Sequence, residues 1–325
     1  MSHLEVRQSE FLKTQDDWVQ DEQAEANSDC PTRTIASIRA LALLRGSRSR
    51  DFSGKVMRQV HLLNIGIHNL TMIELLEKLR LGGTVFTPNV DHLMKLQHDP
   101  EFYRAYQGVD FKVCDSRVLV YASYFLGTPV QEKISGSDLF PAFYTYYRND
   151  PSVKIFLLGA APGIAEAAQS RINAKVGREI VVAAHSPSFG FEKNEAECQA
   201  IIEMINRSGA TVLAIGVGAP KQELWISQYK DQLPNVKTFL AIGATIDFEA
   251  GTVQRSPRWM SNVGLEWLFR ILCEPRRLWK RYLIHDLPFF WLLLQQRFRL
   301  YRNPWGTVEA APASEKKSRS LMKTI

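Results

Sequence analysis

Short apolar runs rich in β-branched residues recur through the middle of this chain, each followed by a stretch with helical spacing. That alternation constrains the fold more than any other feature. The runs lie at 60–65, 84–86, 111–114, 153–158, 180–184, 211–216 and 238–242. The helical stretches that follow them lie at 71–79, 91–106, 116–125, 137–147, 164–175, 193–208 and 222–232. Strand-then-helix units repeated in this way predict an α/β, Rossmann-like fold, a largely parallel sheet flanked by helices. Thr71 followed by Glu74 is a capping-box pattern and marks the first helix start. From about Pro257 the alternation stops, and helices interrupted by Pro275, Pro288 and Pro304 predict a C-terminal helical appendage.

These changes divide the chain into an extension at 1–58, an α/β catalytic domain at 59–254, an appendage at 255–302 and a tail at 303–325. The extension and the tail are expected to be poorly ordered, apart from a short apolar helix at 35–44 in the first. The two ends differ in charge. Residues 1–30 carry eight acidic side chains against Arg7 and Lys13, a balance of −6; residues 255–302 carry ten basic against three acidic, a balance of +7. The basic end also holds Trp259, Trp267, Phe269, Trp279, Tyr282, Phe289, Phe290, Trp291, Phe298 and Tyr301. Cations mixed with interfacial aromatics suit an anionic membrane surface; a helical cap packed on the domain would read the same way. No helix-turn-helix, RNP or zinc pattern accompanies the charge, so nucleic acid is not an expected partner. The longest purely apolar run, 289–294, is far short of the ~20 residues that span a bilayer. An acidic, polar start predicts no signal peptide. Cys30, Cys114, Cys198 and Cys273 form no CxxC pair, which fits a reducing, cytoplasmic setting without zinc or disulfides.

In sheets of this kind ligands bind where strands end and helices begin. The first such junction ends in Thr87, Pro88 and Asn89, polar groups able to hold a sugar hydroxyl or a phosphate, although Asn89 serves equally as a helix N-cap. The second delivers Asp115, placed for a general base or again for a cap. Gly136 and Ser137 open a third helix and could cradle an anion. Gly159, Pro162 and Gly163 form a strand-turn-helix that matches neither GxGxxG nor GxxxxGK[ST]. Gly216 and Gly218 permit close backbone approach, and Lys221, Gln222 and Glu223 begin the following helix, where its dipole favours an anion. Asp247 follows the last run, where it could hold a nucleoside or cap a turn. No DxD, HExxH or GxSxG occurs, which removes support from metal-bridged diphosphate, zinc-hydrolase and serine-esterase chemistry. No metal site and no cofactor are expected.

Taken in order, these junctions resemble the WecG/TagA/CpsF family of bacterial glycosyltransferases. The resemblance runs from about Val60 to Tyr282. It rests on Thr87-Pro88-Asn89, the block from Gly136 to Leu139, the block from Gly216 to Trp225, and an ending that includes Arg255-Ser256-Pro257-Arg258-Trp259, Gly264 to Arg270 and Glu274 to Tyr282. It implies an inverting, metal-independent transfer of a hexose-type sugar from a nucleotide sugar, usually UDP-linked. The acceptor would be a sugar on a polyprenyl diphosphate at the inner face of the cell membrane, in the synthesis of cell-surface polysaccharide. On this resemblance Asp115 is the base, Thr87 and Asn89 contact the sugar, Gln222 and Asp247 lie on the nucleotide side, and Arg270, Arg276, Arg277 and Arg281 are candidate diphosphate partners. Lys133 stands where many members have arginine, which would remove a bidentate phosphate contact. Ser116 replaces a common glycine after the base, and Ser256 a common alanine. Two rival readings are a non-catalytic nucleotide-binding assembly protein at the membrane and a Rossmann-like NAD(P) oxidoreductase. Oligomeric state is left open.

Overall fold

The computed structural model describes residues 48–50, 56–257, 260, 263, 265–273, 275–280 and 284–306. The expected helix at 35–44 and the tail beyond 306 lie outside the described residues. Three strands, β1 (Arg48–Arg50), β2 (Val56–Leu62) and β3 (Ile65–His68), form a small antiparallel sheet in that order. The run at 60–65 was expected to be one strand. It is instead the turn of a hairpin in which Leu62 pairs with Ile65, and Leu63 adopts a φ of 52°. The apolar pair Leu62 and Leu63 concealed the reversal, and Asn64 was its one turn signal. Residues 48–50 and 56–58, assigned above to the extension, belong to this ribbon.

The main sheet contains β4 (Gly83–Phe86), β5 (Phe111–Lys112), β6 (Ile155–Gly159), β7 (Val181–His185), β8 (Val212–Gly216) and β9 (Thr238–Ala241). All neighbours are parallel, in the order β5-β4-β9-β8-β6-β7. Every residue of β6, β8 and β9 is buried, as a parallel strand covered on both faces requires. Side chains alternate between two cores: Phe156, Leu158, Leu213 and Ile215 enter one, Ile155, Leu157, Val212 and Ala214 the other.

The first core is covered by α2 (Val90–Lys95), α3 (Pro100–Gln107), α4 (Arg117–Phe125), α7 (Glu195–Ser208) and α8 (Lys221–Tyr229). The second is covered by α1 (Met72–Lys78), α5 (Gly136–Tyr146), α6 (Ile164–Val176) and α9 (Thr245–Ala250). The Thr71–Glu74 capping box is present on α1. The single helix expected over 91–106 is two, because Asp99 caps a new helix whose first residue is Pro100. Helix α9 was not foreseen in the sequence.

Among the described residues three further helices are α10 (Glu266–Cys273), α11 (Pro275–Lys280) and α12 (Pro288–Arg297). Helix α12 is anchored in the domain rather than extended from it. Phe289 and Leu293 enter the first core, and the Gln296 amide accepts from Leu63 N–H at 2.8 Å and donates to the His61 carbonyl at 2.9 Å. Beyond it, Tyr301 donates to Gln97 at 2.7 Å and the Trp305 indole to the Leu96 carbonyl at 2.7 Å. Among the described residues no helix is long and apolar enough to cross a membrane.

Candidate functional site

Parallel strands carry their tips to one edge, and two backbone hydrogen bonds run β4 and β5 out to that edge together. Val113 N–H donates to the Phe86 carbonyl and Asp115 N–H to the Pro88 carbonyl, each at 3.0 Å. Asp115 is thereby brought beside Thr87 and Asn89. Thr87 is buried; Asn89 caps α2 by accepting from His92 N–H at 3.2 Å. Asp115 is partly buried, and Ser116 takes the cap of α4, accepting from Val118 N–H at 3.2 Å, so that cap is not supplied by the aspartate. Burial first, with a smaller push from Asp115, raises the neighbouring Cys114 thiol to about 12, which keeps it protonated and unreactive.

The glycines at the tips of β6 and β8 answer to each other. A Cβ on Gly159, whose φ is 139°, would stand 2.5 Å from the Gly216 carbonyl oxygen, and one on Gly216 would strike the Gly243 carbonyl. Three strand tips therefore close to backbone contact where the chain reverses its direction of crossover, the region in which such sheets hold ligands. Gly218 has a φ of 83° and open space around its Cβ position, so backbone conformation explains that glycine. Gln222 is buried, with its amide oxygen accepting from Gly218 N–H at 3.3 Å and Gly243 N–H at 3.2 Å. The Lys221 ammonium turns to the loop after β7, 2.9 Å from Glu192 and 4.7 Å from the centre of the Phe189 ring.

A polar cluster rims the same edge at the start of α5. Ile134 N–H donates to the Cys114 carbonyl at 2.7 Å, which carries Lys133 alongside Asp115. Lys133 lies 3.1 Å from Asp138, and the Arg255 guanidinium reaches Asp138 at 2.6 Å and Ser137 Oγ at 3.0 Å. Burial would push the Asp138 carboxyl up, but Lys133, Ser135 and Arg255 together outweigh it and hold the group below its ordinary value. Asp138 and Arg255 were not singled out as site residues, although both lie inside the motifs. Asp247 sits partly buried in the first turn of α9, where its carbonyl accepts from Thr252 N–H at 3.1 Å.

The helix capped by Asn89 carries a second polar group. Tyr106 and His92 share a 2.7 Å hydrogen bond, and Asp91 pairs with Lys95. Burial, followed by Glu223, Asp115 and Asp91, pushes the Tyr106 phenol well up, so three carboxyl groups act through their charge on one buried hydroxyl. Glu223 was read only as part of a helix start, yet it is fully buried.

Arg276 is exposed on α11; the side chains of Arg270 and Arg277, and all of Arg281, lie outside the described residues. Among the described residues no three His, Cys, Asp or Glu side chains form a metal-holding group. A groove of about 800 Å³ lies at the opposite end of the strands, lined by Arg80, Tyr146, Asp150 and Lys237 among others, and holds none of the expected site residues. Compared with known families, residues 60–303 match the model of the "Glycosyl transferase WecG/TagA/CpsF family", well over half of the chain.

Proposed function

The chain belongs to the WecG/TagA/CpsF family of glycosyltransferases, enzymes of cell-surface polysaccharide biosynthesis, and from that premise we propose the reaction it performs and the residues that perform it. The enzyme moves a hexose-type sugar from a nucleotide sugar, with UDP the favoured nucleotide, to a sugar carried on a polyprenyl diphosphate. One displacement inverts the anomeric carbon. The acceptor hydroxyl oxygen forms the new bond to that carbon, its proton passes to the Asp115 carboxylate, and the bond to the donor phosphate breaks with its electron pair leaving on the nucleoside diphosphate. Thr87 and Asn89 orient the sugars, and Asp247 holds the nucleoside.

The leaving diphosphate gains charge that fixed donors must meet, each worth about 3 kcal/mol in favourable cases. Lys133 and Arg255 supply two cations against the one carboxylate of Asp138. Arg270, Arg276, Arg277 and Arg281 would add to them from the appendage. The observation that carries this reading is the ladder bond from Asp115 N–H to the Pro88 carbonyl, which supports a base and a sugar-binding turn acting on one substrate. Asp115→Asn keeps the shape and removes the basicity. Transfer of sugar from a panel of UDP- and GDP-sugars to a lipid-diphosphate sugar should fall at least about a hundredfold while the protein stays folded. Turnover near the parental rate would dismiss Asp115 as the base.

The acceptor's lipid requires work at a membrane surface, on its cytoplasmic face. Helix α12 and the residues after it support that placement. Leu287, Phe290, Trp291, Leu294, Phe298 and Leu300 are exposed, with Arg297, Arg299 and Arg302 beside them. Exposed apolar residues flanked by cations suit an anionic bilayer, where each cation near the surface adds about 1 kcal/mol.

A further inference from the structure

The Gln222 amide makes three of the four hydrogen bonds open to it, and its orientation is dictated. Gly218 and Gly243 both present N–H donors to it, so the atom facing them must be oxygen. The amide nitrogen is thereby forced towards Glu223, whose Oε1 accepts from it at 2.8 Å. Residue 223 must offer an acceptor there, and an apolar side chain of similar volume would leave a buried N–H unmet.

Glu223 is ill suited to its surroundings in every other respect. It is 0% exposed, and its second oxygen, Oε2, is buried without a hydrogen-bond partner among the described residues. Asp91 and Lys95 on α2 are the charged groups nearest in effect; they pair with each other, and among the described residues Glu223 makes no ion pair. The Tyr106 phenol on α3 feels the Glu223 carboxyl together with that of Asp115. A group kept at such expense calls for a purpose beyond packing, and the contacts show one: through Gln222, Glu223 ties together the loops that follow β8 and β9. Those loops flank the place where the tips of β6, β8 and β9 close to backbone contact.

We propose that Glu223 is a positioning residue for sugar transfer, which holds the Gln222 amide so that the Gly218 and Gly243 loops keep the spacing a nucleoside diphosphate requires. The proposal rests on the reading above that the donor binds at this edge of the sheet. It also changes the part Gln222 plays, from a ligand of the nucleotide to the clasp of the walls around it.

The test compares the full-length parent with Glu223→Gln and Glu223→Ala, by hydrogen–deuterium exchange over 214–224 and 240–248 and by KM and kcat for the nucleotide sugar the parent uses best. Glutamine keeps an acceptor oxygen, whereas alanine removes it. In Glu223→Ala both loops should exchange at least about tenfold faster with the remaining sheet unchanged, and donor KM should rise by about tenfold or more with kcat much less affected. Glu223→Gln should restore both loop protection and KM. Parental loop exchange in Glu223→Ala, faster exchange spread over the whole fold, or a glutamine variant as impaired as the alanine one would each overturn the proposal. The two readings fail separately. A donor bound elsewhere would leave KM unmoved although both loops open, while an absent clasp would leave loop exchange itself unmoved.

Discussion

Replacing Glu223 by glutamine should change how the stability of the fold depends on pH. Burial is the chief reason that the Glu223 carboxyl is raised from its ordinary 4.5 to about 7; hydrogen bonds from Gln222 and its own backbone, with Lys95, oppose this, and Asp91 adds to it. Between those two values the folded chain retains a proton that the unfolded chain has lost. The contribution of this one group to stability is therefore greatest below pH 4.5, falls as pH rises through the window, and levels off above about 7. The interval corresponds to ~3 kcal/mol at about 1.4 kcal/mol per tenfold. Glu223→Gln resembles the protonated acid in shape and does not titrate. Every other group is common to the two proteins, so subtracting their unfolding free energies isolates this one. Urea denaturation at pH 5, 6, 7 and 8 should show the variant gaining on the parent as pH rises, by up to ~3 kcal/mol over the full window. Profiles that stay parallel across it, to within about 0.5 kcal/mol, would refute the burial of an ionisable carboxyl at this position.

Three other substitutions probe the packing. Gly159→Ala forces a Cβ against the Gly216 carbonyl in a backbone conformation that alanine disfavours, and should cost at least about 2 kcal/mol, read as a melting temperature lower by roughly 4–8 °C. Phe289→Ala empties a fully buried site in the first core, and a loss of about 3–5 kcal/mol in unfolding free energy is expected; a small loss would mean that α12 is a detachable arm. The exposed pair Phe290→Ala with Trp291→Ala should leave the melting temperature almost unchanged and weaken binding to anionic vesicles measured by sedimentation. Undiminished binding would remove this surface from the membrane reading.

Much of the architecture is written locally. Alternating apolar runs and helical stretches announced the parallel sheet, because a strand covered on both faces must be apolar along its whole length. Helix starts at Thr71 and Asn89 followed from residues whose side chains satisfy free N–H groups, whereas the cap expected of Asp115 is made by Ser116. The adjacent leucines Leu62 and Leu63 hid the hairpin that turns at Leu63 and Asn64. The Asp138 cluster was illegible for a different reason: Arg255 lies 117 residues from its partner, and no local pattern records a contact of that range.

Local sequence determined which residues stand at strand tips, since the length of an apolar run and capping chemistry act within a few positions of each residue. Tertiary structure alone decided which tips are neighbours. That Gly159, Gly216 and Gly243 meet, and that Gln222 and Glu223 join two of their loops, depends on a strand order fixed by long-range packing. Helix α12 makes the same point. Its run from Phe289 to Leu294 is apolar at every position, so no periodicity distinguishes a buried face, and only docking against α2, β2 and the turn after it puts Phe289 and Leu293 inside and leaves Phe290 and Trp291 in solvent.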